Sequence, residues 1–361
     1  MDVSEFDFDL PADLIAQQPA GDRDGARLLH LPAKSRAVRH TRVSELPAIL
    51  DPGDLLVVND TRVFPARLLG RRVPSGGAVE CLLVARVDPG VAAMSGRQAE
   101  SGAEWWETLV HPGQKLKPGA RLIFEGPVAI HGEVIERRFF GRRLIRLWTA
   151  DGSPLAIAVD AAGHVPLPPY IRRADEAADR ERYQTIFASR RGSIAAPTAG
   201  LHFSPPLVDA LGARGVEIAA ITLHVGYGTF QPVRTSRVED HHLEPESYEI
   251  GAKATRALNQ ALESGRRVIA VGTTTTRTIE AVARKHGGRI AAGQGTTDLF
   301  IYPGFEFQVI RGLLTNFHLP RSSLLMLVSA FAGQERVLAA YAEAIAAGYR
   351  FYSYGDTMLV L

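Results

Sequence analysis

Residues 63–157 limit the possible folds most strongly, because their apolar runs are short and are separated by turn residues. The runs read VECLLVARV, WETLV, RLIFEG, VAIHGEVIE and RRLIRLW, and HPGQKLKPG supplies two Pro-Gly turns. Runs of this length are typical of β-strands, and short strands at this spacing form a small barrel or a sandwich. The sequence therefore predicts an all-β domain over residues 63–157.

Elsewhere in the chain the pattern changes to strand followed by helix. GVEIAAITLHVGYG and RRVIAVGTTTT are typical of buried strands, whereas TRTIEAVARKHGG and QERVLAAYAEAIAAGY repeat apolar residues at helical spacing. This alternation indicates an α/β domain. We expect residues 1–62 and 158–361 to form one discontinuous α/β domain, with the β domain inserted between its two parts.

Composition argues against several classes of protein. Cys81 is the only cysteine, so the chain has no internal disulfide and no cysteine-based zinc cluster. The longest apolar stretch, residues 324–332, is shorter than the roughly 20 residues that span a bilayer. The acidic start MDVSEFDFDLPADL lacks the features of a secretory signal. We expect no membrane span and a cytoplasmic location.

The net charge of the chain gives little information about a binding partner. The net charge is +2 and the isoelectric point is about 8.7, which is a weaker basic excess than many RNA-binding proteins carry. Arginine pairs such as Arg137-Arg138 suit phosphate recognition, but an arginine-rich solvated surface explains them equally well.

Polar residues follow the predicted strand in DLLVVNDTRVFPARLLG. Polar side chains at a strand exit commonly line clefts in α/β proteins. Asp60 would hold a ribose hydroxyl or act as a base, and Arg62 and Arg67 would contact a phosphate or a carboxylate. The alternative is an Asx-turn that closes the strand.

VIAVGTTTTRTIEAVA places four threonines and Arg277 at a predicted helix start. Backbone amides and the hydroxyls of Thr273 to Thr276 would receive an anion there, and Arg277 would reinforce the site. The alternative is simple capping of the helix by threonine, and no Walker A loop is present.

Two glycine-containing loops carry histidines after predicted strands. GSIAAPTAGLHFSPPL contains Thr198 and His202, and ITLHVGYGTFQPVR contains His224 and Tyr227. Either histidine would serve as a proton carrier, or it is a structural residue that is hydrogen-bonded inside the core. Ser204 before two prolines predicts a helix N-cap.

The carboxy-terminal third interleaves polar and aromatic residues. LLTNFHLPRSSL groups Asn316, His318, Arg321 and Ser322, and SYGDTM holds Asp356 beside Tyr354. The aromatic rings would stack on a base, although an aromatic core explains the same pattern.

Together these segments resemble the S-adenosylmethionine:tRNA ribosyltransferase-isomerase family of queuosine biosynthesis. The resemblance covers essentially the whole chain and is carried by VVNDTRVFPARLLG, HVPLPPYIRR, APTAGLHF, HVGYGTFQPVR, VGTTTTRTIE, DLFIYPGFEFQVIRGLLTNFHLPRSSLLMLVSAFAG and YRFYSYGD. Two positions depart from the family pattern. Ala26 stands where serine is usual, and Leu243-Glu244 where Met-His is usual, whereas His241 and Glu246 match.

The resemblance implies an α/β domain with an inserted β-barrel. It implies transfer and isomerisation of the ribosyl moiety of S-adenosylmethionine onto 7-aminomethyl-7-deazaguanine at the tRNA wobble position. The reaction forms epoxyqueuosine in the tRNA and releases adenine and methionine. S-adenosylmethionine is therefore consumed as a substrate. The partner is tRNA, no metal is implied, and we expect a monomer.

This reaction needs a base beside the sulfonium and an acid for the departing adenine. The predicted catalytic residues are His202, His224, Asp60 and Asp356, and we hypothesise that the two histidines include the proton carrier. The predicted substrate-binding residues are Asn59, Thr61, Arg62, Arg67, Thr198, Tyr227, Thr229, Phe230, His241, Glu246, Thr273, Thr274, Thr275, Arg277, Asn316, His318, Arg321, Ser322 and Tyr354.

Two alternative functions are a non-catalytic RNA-binding module and an S-adenosylmethionine methyltransferase. The chain lacks a GxGxG loop after a strand near its N-terminus, which argues against the methyltransferase.

Overall fold

The computed structural model describes residues 1–32, 37–88, 102–230 and 233–361, with the backbone alone for residues 140, 229 and 230. The chain forms two compact units. The first comprises Met1–Arg62, Pro168–Ala174 and Glu181–Leu361, and the second comprises Val63–Leu167 and Asp175–Arg180. The second unit extends beyond residue 157 because the helix Leu155–Ala162 contacts the strands that precede it.

The strands of the described chain are numbered in chain order. They are β1 Arg27–Leu31, β2 Arg39–Arg42, β3 Leu55–Asn59, β4 Thr61–Val63, β5 Arg67–Val73, β6 Ala78–Val87, β7 Glu104–His111, β8 Arg121–Phe124, β9 Ile130–Arg137, β10 Arg142–Thr149, β11 Arg190–Ser193, β12 Glu217–Leu223, β13 Glu246–Ile250, β14 Val268–Val271, β15 Gly293–Thr297, β16 Gly312–Asn316 and β17 Thr357–Val360.

The α-helices of the same residues are also numbered in chain order. They are α1 Leu46–Ile49, α2 Leu155–Ala162, α3 Asp179–Arg182, α4 Pro205–Ala213, α5 Ala252–Glu263, α6 Thr273–Lys285, α7 Ser323–Ala332 and α8 Gln334–Ala346. The Ser204 hydroxyl accepts a hydrogen bond from the amide of Leu207 at 3.2 Å, so the predicted N-cap of α4 is confirmed.

The first unit is built on a nine-stranded mixed sheet with the order β15-β13-β12-β3-β14-β16-β17-β1-β2. Its centre, β12-β3-β14-β16, is parallel. Every residue of β3, β14 and β16 is buried, as expected for parallel strands covered on both faces. Because the four central strands point the same way, the loops that follow them start at one edge of the sheet.

Helix α5 shows how the apolar pattern covers this sheet. Ala254, Ala257, Leu258 and Ala261 recur at helical spacing and are all buried against the core. Lysine, arginine and glutamate occupy much of the opposite face. The α/β part of the predicted fold class is therefore confirmed.

The second unit contains a closed antiparallel barrel with the order β10-β7-β6-β5-β8-β9. Alternate residues of β6 and β10 are buried, including Cys81, Leu83, Ile145 and Leu147. The barrel part of the predicted fold class is also confirmed.

Among the described residues, no single helix is long and apolar enough to cross a membrane. Helices α7 and α8 meet the length and composition requirements only when counted together, and they are bent by 114° where they meet.

Glu280 of α6 fixes the segment that leads into β16. Its fully buried carboxylate accepts hydrogen bonds from the amides of Gln308, Val309 and Ile310 at 2.8 to 3.0 Å. Such bonds satisfy three backbone donors, and those of Val309 and Ile310 would otherwise be buried without a partner.

We predict that Glu280→Gln lowers the free energy of unfolding by about 2–4 kcal/mol, because one amide then faces an NH₂ group instead of an oxygen. Urea unfolding measures this loss. The matched control is Glu263→Gln, whose exposed pair with Arg289 is worth about 0–1 kcal/mol. Equal losses in the two variants would contradict the anchoring role.

Candidate active site

A pocket of about 180 Å³ lies at the edge of the sheet where β14 and β16 end. Three segments form most of its wall: residues 195–199, residues 272–274 and residues 315–320. Tyr170, Val225, Ser322, Leu324, Tyr352 and Ser353 complete the lining. The first two segments precede or begin helices, so the pocket is made from loops that the sheet positions.

The pocket carries no formal charge. Among the described residues that line it there is no aspartate, glutamate, lysine or arginine. His318 is the only titratable imidazole in the lining, and burial lowers its pKa to about 3, so it is neutral at pH 7. Its Nε2 lies 2.8 Å from the Thr315 hydroxyl.

The amino end of α6 faces this pocket. Gly272, in the left-handed region with φ of 94°, precedes the helix, and no side chain caps the first amides. Thr273 and Thr274, two of the predicted substrate-binding residues, line the pocket. Thr275 does not line it: this fully buried residue donates its hydroxyl hydrogen to the carbonyl oxygen of Val271 at 2.8 Å.

Asn316 lines the pocket and connects it to His202. Its Nδ2 donates to the backbone oxygen of Tyr352 and to Nε2 of His202, both at 3.1 Å. Burial lowers the pKa of His202 to about 4, and the Asp356 carboxylate opposes this shift only in part. His202 lies in a second, smaller cavity beside Arg23 and Tyr354. Its accepting nitrogen is therefore already used by Asn316.

A polar cluster surrounds His224 at the ends of β3 and β12. Nδ1 of His224 lies 2.8 Å from the Thr61 hydroxyl, and Asp60 accepts hydrogen bonds from Thr222 and Ser189. His224 is partly exposed. Burial lowers its pKa, whereas the charges of Asp60 and Glu249 oppose that shift. A Cβ on Gly192 would lie 2.6 Å from the imidazole ring, so any side chain at this position would force the ring to shift.

Asn59 connects the ends of β3 and β12 through buried hydrogen bonds. Its amide donates to the carbonyl of Leu223 and accepts from the amides of Leu223 and Thr61. These bonds occupy the side chain, which is 2% exposed, and leave it a structural bridge between β3 and β12.

Glu246 and Arg277 form a buried ion pair at 2.7 Å. Glu246 also accepts from the amide of Gly226, and Arg277 donates to the carbonyl of Leu299. Neither residue lines the pocket. Within the described structure the pair connects the loop after β12 to α6.

Asp356 is hydrogen-bonded to Arg27, the first residue of β1. It accepts from the backbone and guanidinium of Arg27 at 3.0 to 3.2 Å and from the amide of Arg350 at 2.8 Å. Arg27 also lies 4.1 Å above the ring of Tyr349. Asp356 is buried and does not line the pocket, so this geometry favours an anchoring role over the predicted catalytic one.

The remaining predicted residues divide between the pocket and other places. Thr198 and Ser322 line the pocket, and the Ser322 hydroxyl also caps α7. Outside it, Arg62 is exposed, Arg67 pairs with Glu80 in the barrel unit, His241 contacts the ring of Phe300, Arg321 pairs with Asp7, and Tyr354 packs on Tyr183. Tyr227 begins a short helix, and the side chains of Thr229 and Phe230 lie outside the described residues.

Sequence reasoning assigned no role to several pocket residues. Tyr170 lies in the LPPY segment, where an aromatic residue after two prolines was the available signal. Residues 195–197 are alanine and proline, which offer no chemical signal. Nor do the described residues include a group of three or more histidine, cysteine, aspartate or glutamate side chains that could hold a metal ion.

Comparisons with known proteins agree with one another. Residues 3–360 match a family model described as "Queuosine biosynthesis protein". The S-adenosylmethionine:tRNA ribosyltransferase-isomerase of Heliobacterium modesticaldum is 49% identical and that of Desulfitobacterium hafniense 47%, each covering 100% of both chains. The crystal structure of S-adenosylmethionine tRNA ribosyltransferase from Thermotoga maritima is 36% identical, covers 99% of this chain and 100% of that chain, and gives a TM-score of 0.54.

The pKa of His202 predicts a specific pH dependence of stability. Because the folded-state pKa is about 4 and the unfolded value about 6.5, the unfolded chain binds the proton more readily as pH falls below 6.5. The contribution of neutral His202 to the free energy of unfolding is therefore complete above pH 6.5. It is lost progressively as the pH falls towards 4.

His202→Gln removes this titration. The groups that influence it, Asp356, Arg350 and Arg23, remain. Between pH 7 and pH 5, the free energy of unfolding of the wild type should fall by about 2 kcal/mol more than that of the variant. Urea unfolding at both pH values tests this, and parallel pH profiles would contradict a buried, neutral His202.

Proposed function

Because this chain belongs to the queuosine biosynthesis protein family, we propose that it is an S-adenosylmethionine:tRNA ribosyltransferase-isomerase. It transfers and isomerises the ribosyl moiety of S-adenosylmethionine onto 7-aminomethyl-7-deazaguanine at the tRNA wobble position. Adenine and methionine are released and epoxyqueuosine-tRNA is formed. The full-length match to relatives of that name carries this conclusion.

The pocket beside β14 and β16 is the proposed site of S-adenosylmethionine. Three of the segments that resemble the family, APTAGLHF, VGTTTTRTIE and LLTNFHLPRSSL, contribute to its wall. A concave, mostly apolar pocket with a few polar groups is what binding of a nucleoside requires. The described lining has no charged side chain, so the ammonium and sulfonium of the methionine part would extend beyond it, and the carboxylate would reach the helix amides at its wall.

The uncapped amino end of α6 supports a position for the methionine carboxylate. The first amides of a helix carry partial positive charge and lack internal partners. Gly272, Thr273 and Thr274 place these amides at the pocket wall. Arg277, which the sequence also suggested for an anion, is instead engaged by Glu246 and supports α6 from within.

His224 fits the role of proton carrier better than His202. A base must take the proton from the carbon beside the sulfonium while remaining accessible to substrate. His224 is partly exposed and its lowered pKa keeps it neutral at pH 7, with Asp60 nearby to stabilise the protonated form. His202 is buried, and Nε2 already accepts from Asn316.

The tip of the β9–β10 hairpin is a proposed contact for tRNA. Phe139 is 89% exposed there, and Arg137 beside it is also exposed. An exposed aromatic ring next to a guanidinium matches a nucleotide, because the ring stacks on a base and the charge attracts phosphate. This occupant agrees with the tRNA substrate of the family. A cytoplasmic location is compatible with that substrate, and it stays a prediction together with the monomeric state.

Product analysis tests the function against its two alternatives. The chain is incubated with S-adenosylmethionine and tRNA carrying 7-aminomethyl-7-deazaguanine. Free adenine and methionine are expected. S-adenosylhomocysteine would instead indicate a methyltransferase, and tRNA binding without consumption of S-adenosylmethionine would indicate a non-catalytic RNA-binding module.

We predict that His224→Ala lowers kcat for adenine release by roughly 10²- to 10⁴-fold, as removal of a general base does. The KM for S-adenosylmethionine should stay within a few-fold of the wild-type value, because His224 does not line the pocket. His286→Ala, at an exposed histidine, is the control. Wild-type turnover in His224→Ala would remove this residue from the mechanism, and wild-type turnover in His202→Ala as well would sink the histidine hypothesis altogether.

We predict that Phe139→Ala raises the KM for tRNA by roughly 5- to 100-fold, which corresponds to the loss of one base-stacking contact. The KM for S-adenosylmethionine should not change. Ile157→Ala is the matched control, since Ile157 is an exposed apolar residue of the same unit. Steady-state kinetics with each substrate varied in turn measure both values, and an unchanged KM for tRNA in Phe139→Ala excludes this contact.

A further inference from the structure

Two polar atoms in the pocket residues are buried without a partner in the described structure. They are Oδ1 of Asn316 and the hydroxyl of Tyr352, and both residues line the pocket. An unpaired buried polar atom costs roughly 1–3 kcal/mol, so native structures keep few of them without a reason. One reason is a ligand that supplies the missing partners.

The amide of Asn316 has one orientation that fits its surroundings. Nδ2 donates to the carbonyl of Tyr352, and turning the amide over would place Oδ1 against that carbonyl oxygen. Nδ2 also donates to Nε2 of His202, which is neutral because burial lowers its pKa. Asn316 is thus held with Oδ1 as the unused acceptor.

The Tyr352 hydroxyl is a hydrogen-bond donor, whereas Oδ1 of Asn316 is an acceptor. Burial raises the pKa of Tyr352, so it remains protonated and able to donate. The Tyr352 backbone has φ of 74°, an uncommon value for tyrosine, and its ring lies 4.0 Å from that of Tyr170. The local structure therefore fixes this ring at the wall of the pocket.

The surrounding wall selects a neutral ligand. Charged side chains are absent from the described lining, and His318 is neutral. A protonated amine would lose its hydration here without a counter-charge, which disfavours the aminomethyl group of the modified tRNA base. A neutral heterocycle loses much less.

We propose that Asn316 and Tyr352 recognise the adenine ring of S-adenosylmethionine in this pocket. Oδ1 of Asn316 accepts from the exocyclic amino group, and the Tyr352 hydroxyl donates to a neighbouring ring nitrogen. His202 is a positioning residue that holds the Asn316 amide. This inference rests on the proposed function, because it takes S-adenosylmethionine as the ligand and adenine as a product.

Ligands that lack the amino group test the role of Asn316 without altering the protein. Titration calorimetry compares adenine, purine and hypoxanthine on the wild-type chain. Adenine should bind roughly 10-fold or more tightly than purine, which has no amino group, and than hypoxanthine, which has an oxygen in its place. No adenine binding, or equal affinity for adenine and purine, would overturn the inference.

Variants separate the three residues. Asn316→Leu should bring the adenine-to-purine affinity ratio close to one, whereas Tyr352→Phe should weaken both ligands and preserve the ratio. His202→Phe should bring the adenine-to-purine affinity ratio close to one, because Asn316 loses the acceptor that holds its amide. His202→Gln should keep the wild-type ratio, because the glutamine oxygen can still accept from Asn316. Tyr302→Phe, outside the pocket lining, is the matched control for the lost hydroxyl. A retained ratio in Asn316→Leu would contradict the assignment.

The same wild-type sample distinguishes this inference from the proposed function. If it releases adenine and methionine from S-adenosylmethionine with modified tRNA but binds adenine and purine equally, only the recognition by Asn316 fails. If it releases neither product, the proposed function fails. Should Asn316→Leu not fold, the wild-type ligand series still decides the question.

Discussion

Four strands, β12, β3, β14 and β16, run in the same direction, and the hydrogen bonds between them fix where each following loop begins. A parallel sheet of this kind collects its polar loops along the edge formed by the carboxyl ends. The pocket, the amino end of α6 and the His224 cluster all lie at that edge. The antiparallel strand β17 enters from the same edge, and its register places Thr357 opposite Asn316.

The absence of charge in the described pocket lining determines what its neighbours must do. S-adenosylmethionine carries a sulfonium, an ammonium and a carboxylate beside a neutral ring, so the neutral pocket can accept only part of it. In the proposed complex, the charged part lies towards the amino end of α6 and the strand ends around His224. This division separates recognition of the ring from the proton transfer, and it explains why buried His202 and partly exposed His224 have different proposed roles.

The sequence was sufficient for the fold class, but it did not show which polar residues of the predicted site are already hydrogen-bonded within the fold. Local hydrophobic periodicity predicts the short strands of residues 63–157 and the strand-helix alternation elsewhere. This periodicity can be read from the sequence without knowledge of distant contacts. Asn59 and Arg277 could not be assigned in this way. Asn59 hydrogen-bonds to Leu223, 164 positions away, and Arg277 pairs with Glu246. Only the folded chain shows that such polar groups are already engaged.

The central claim is that the loops after the parallel strands bind S-adenosylmethionine with its adenine ring in the neutral pocket. A crystal structure of the chain with S-adenosylmethionine tests it most directly. The ring should lie against residues 195–199 and Tyr352, with its amino group within hydrogen-bond distance of Asn316 Oδ1 and the methionine carboxylate at the amino end of α6. A ring bound in the His224 cluster or on the barrel, with the pocket unoccupied, would contradict the account.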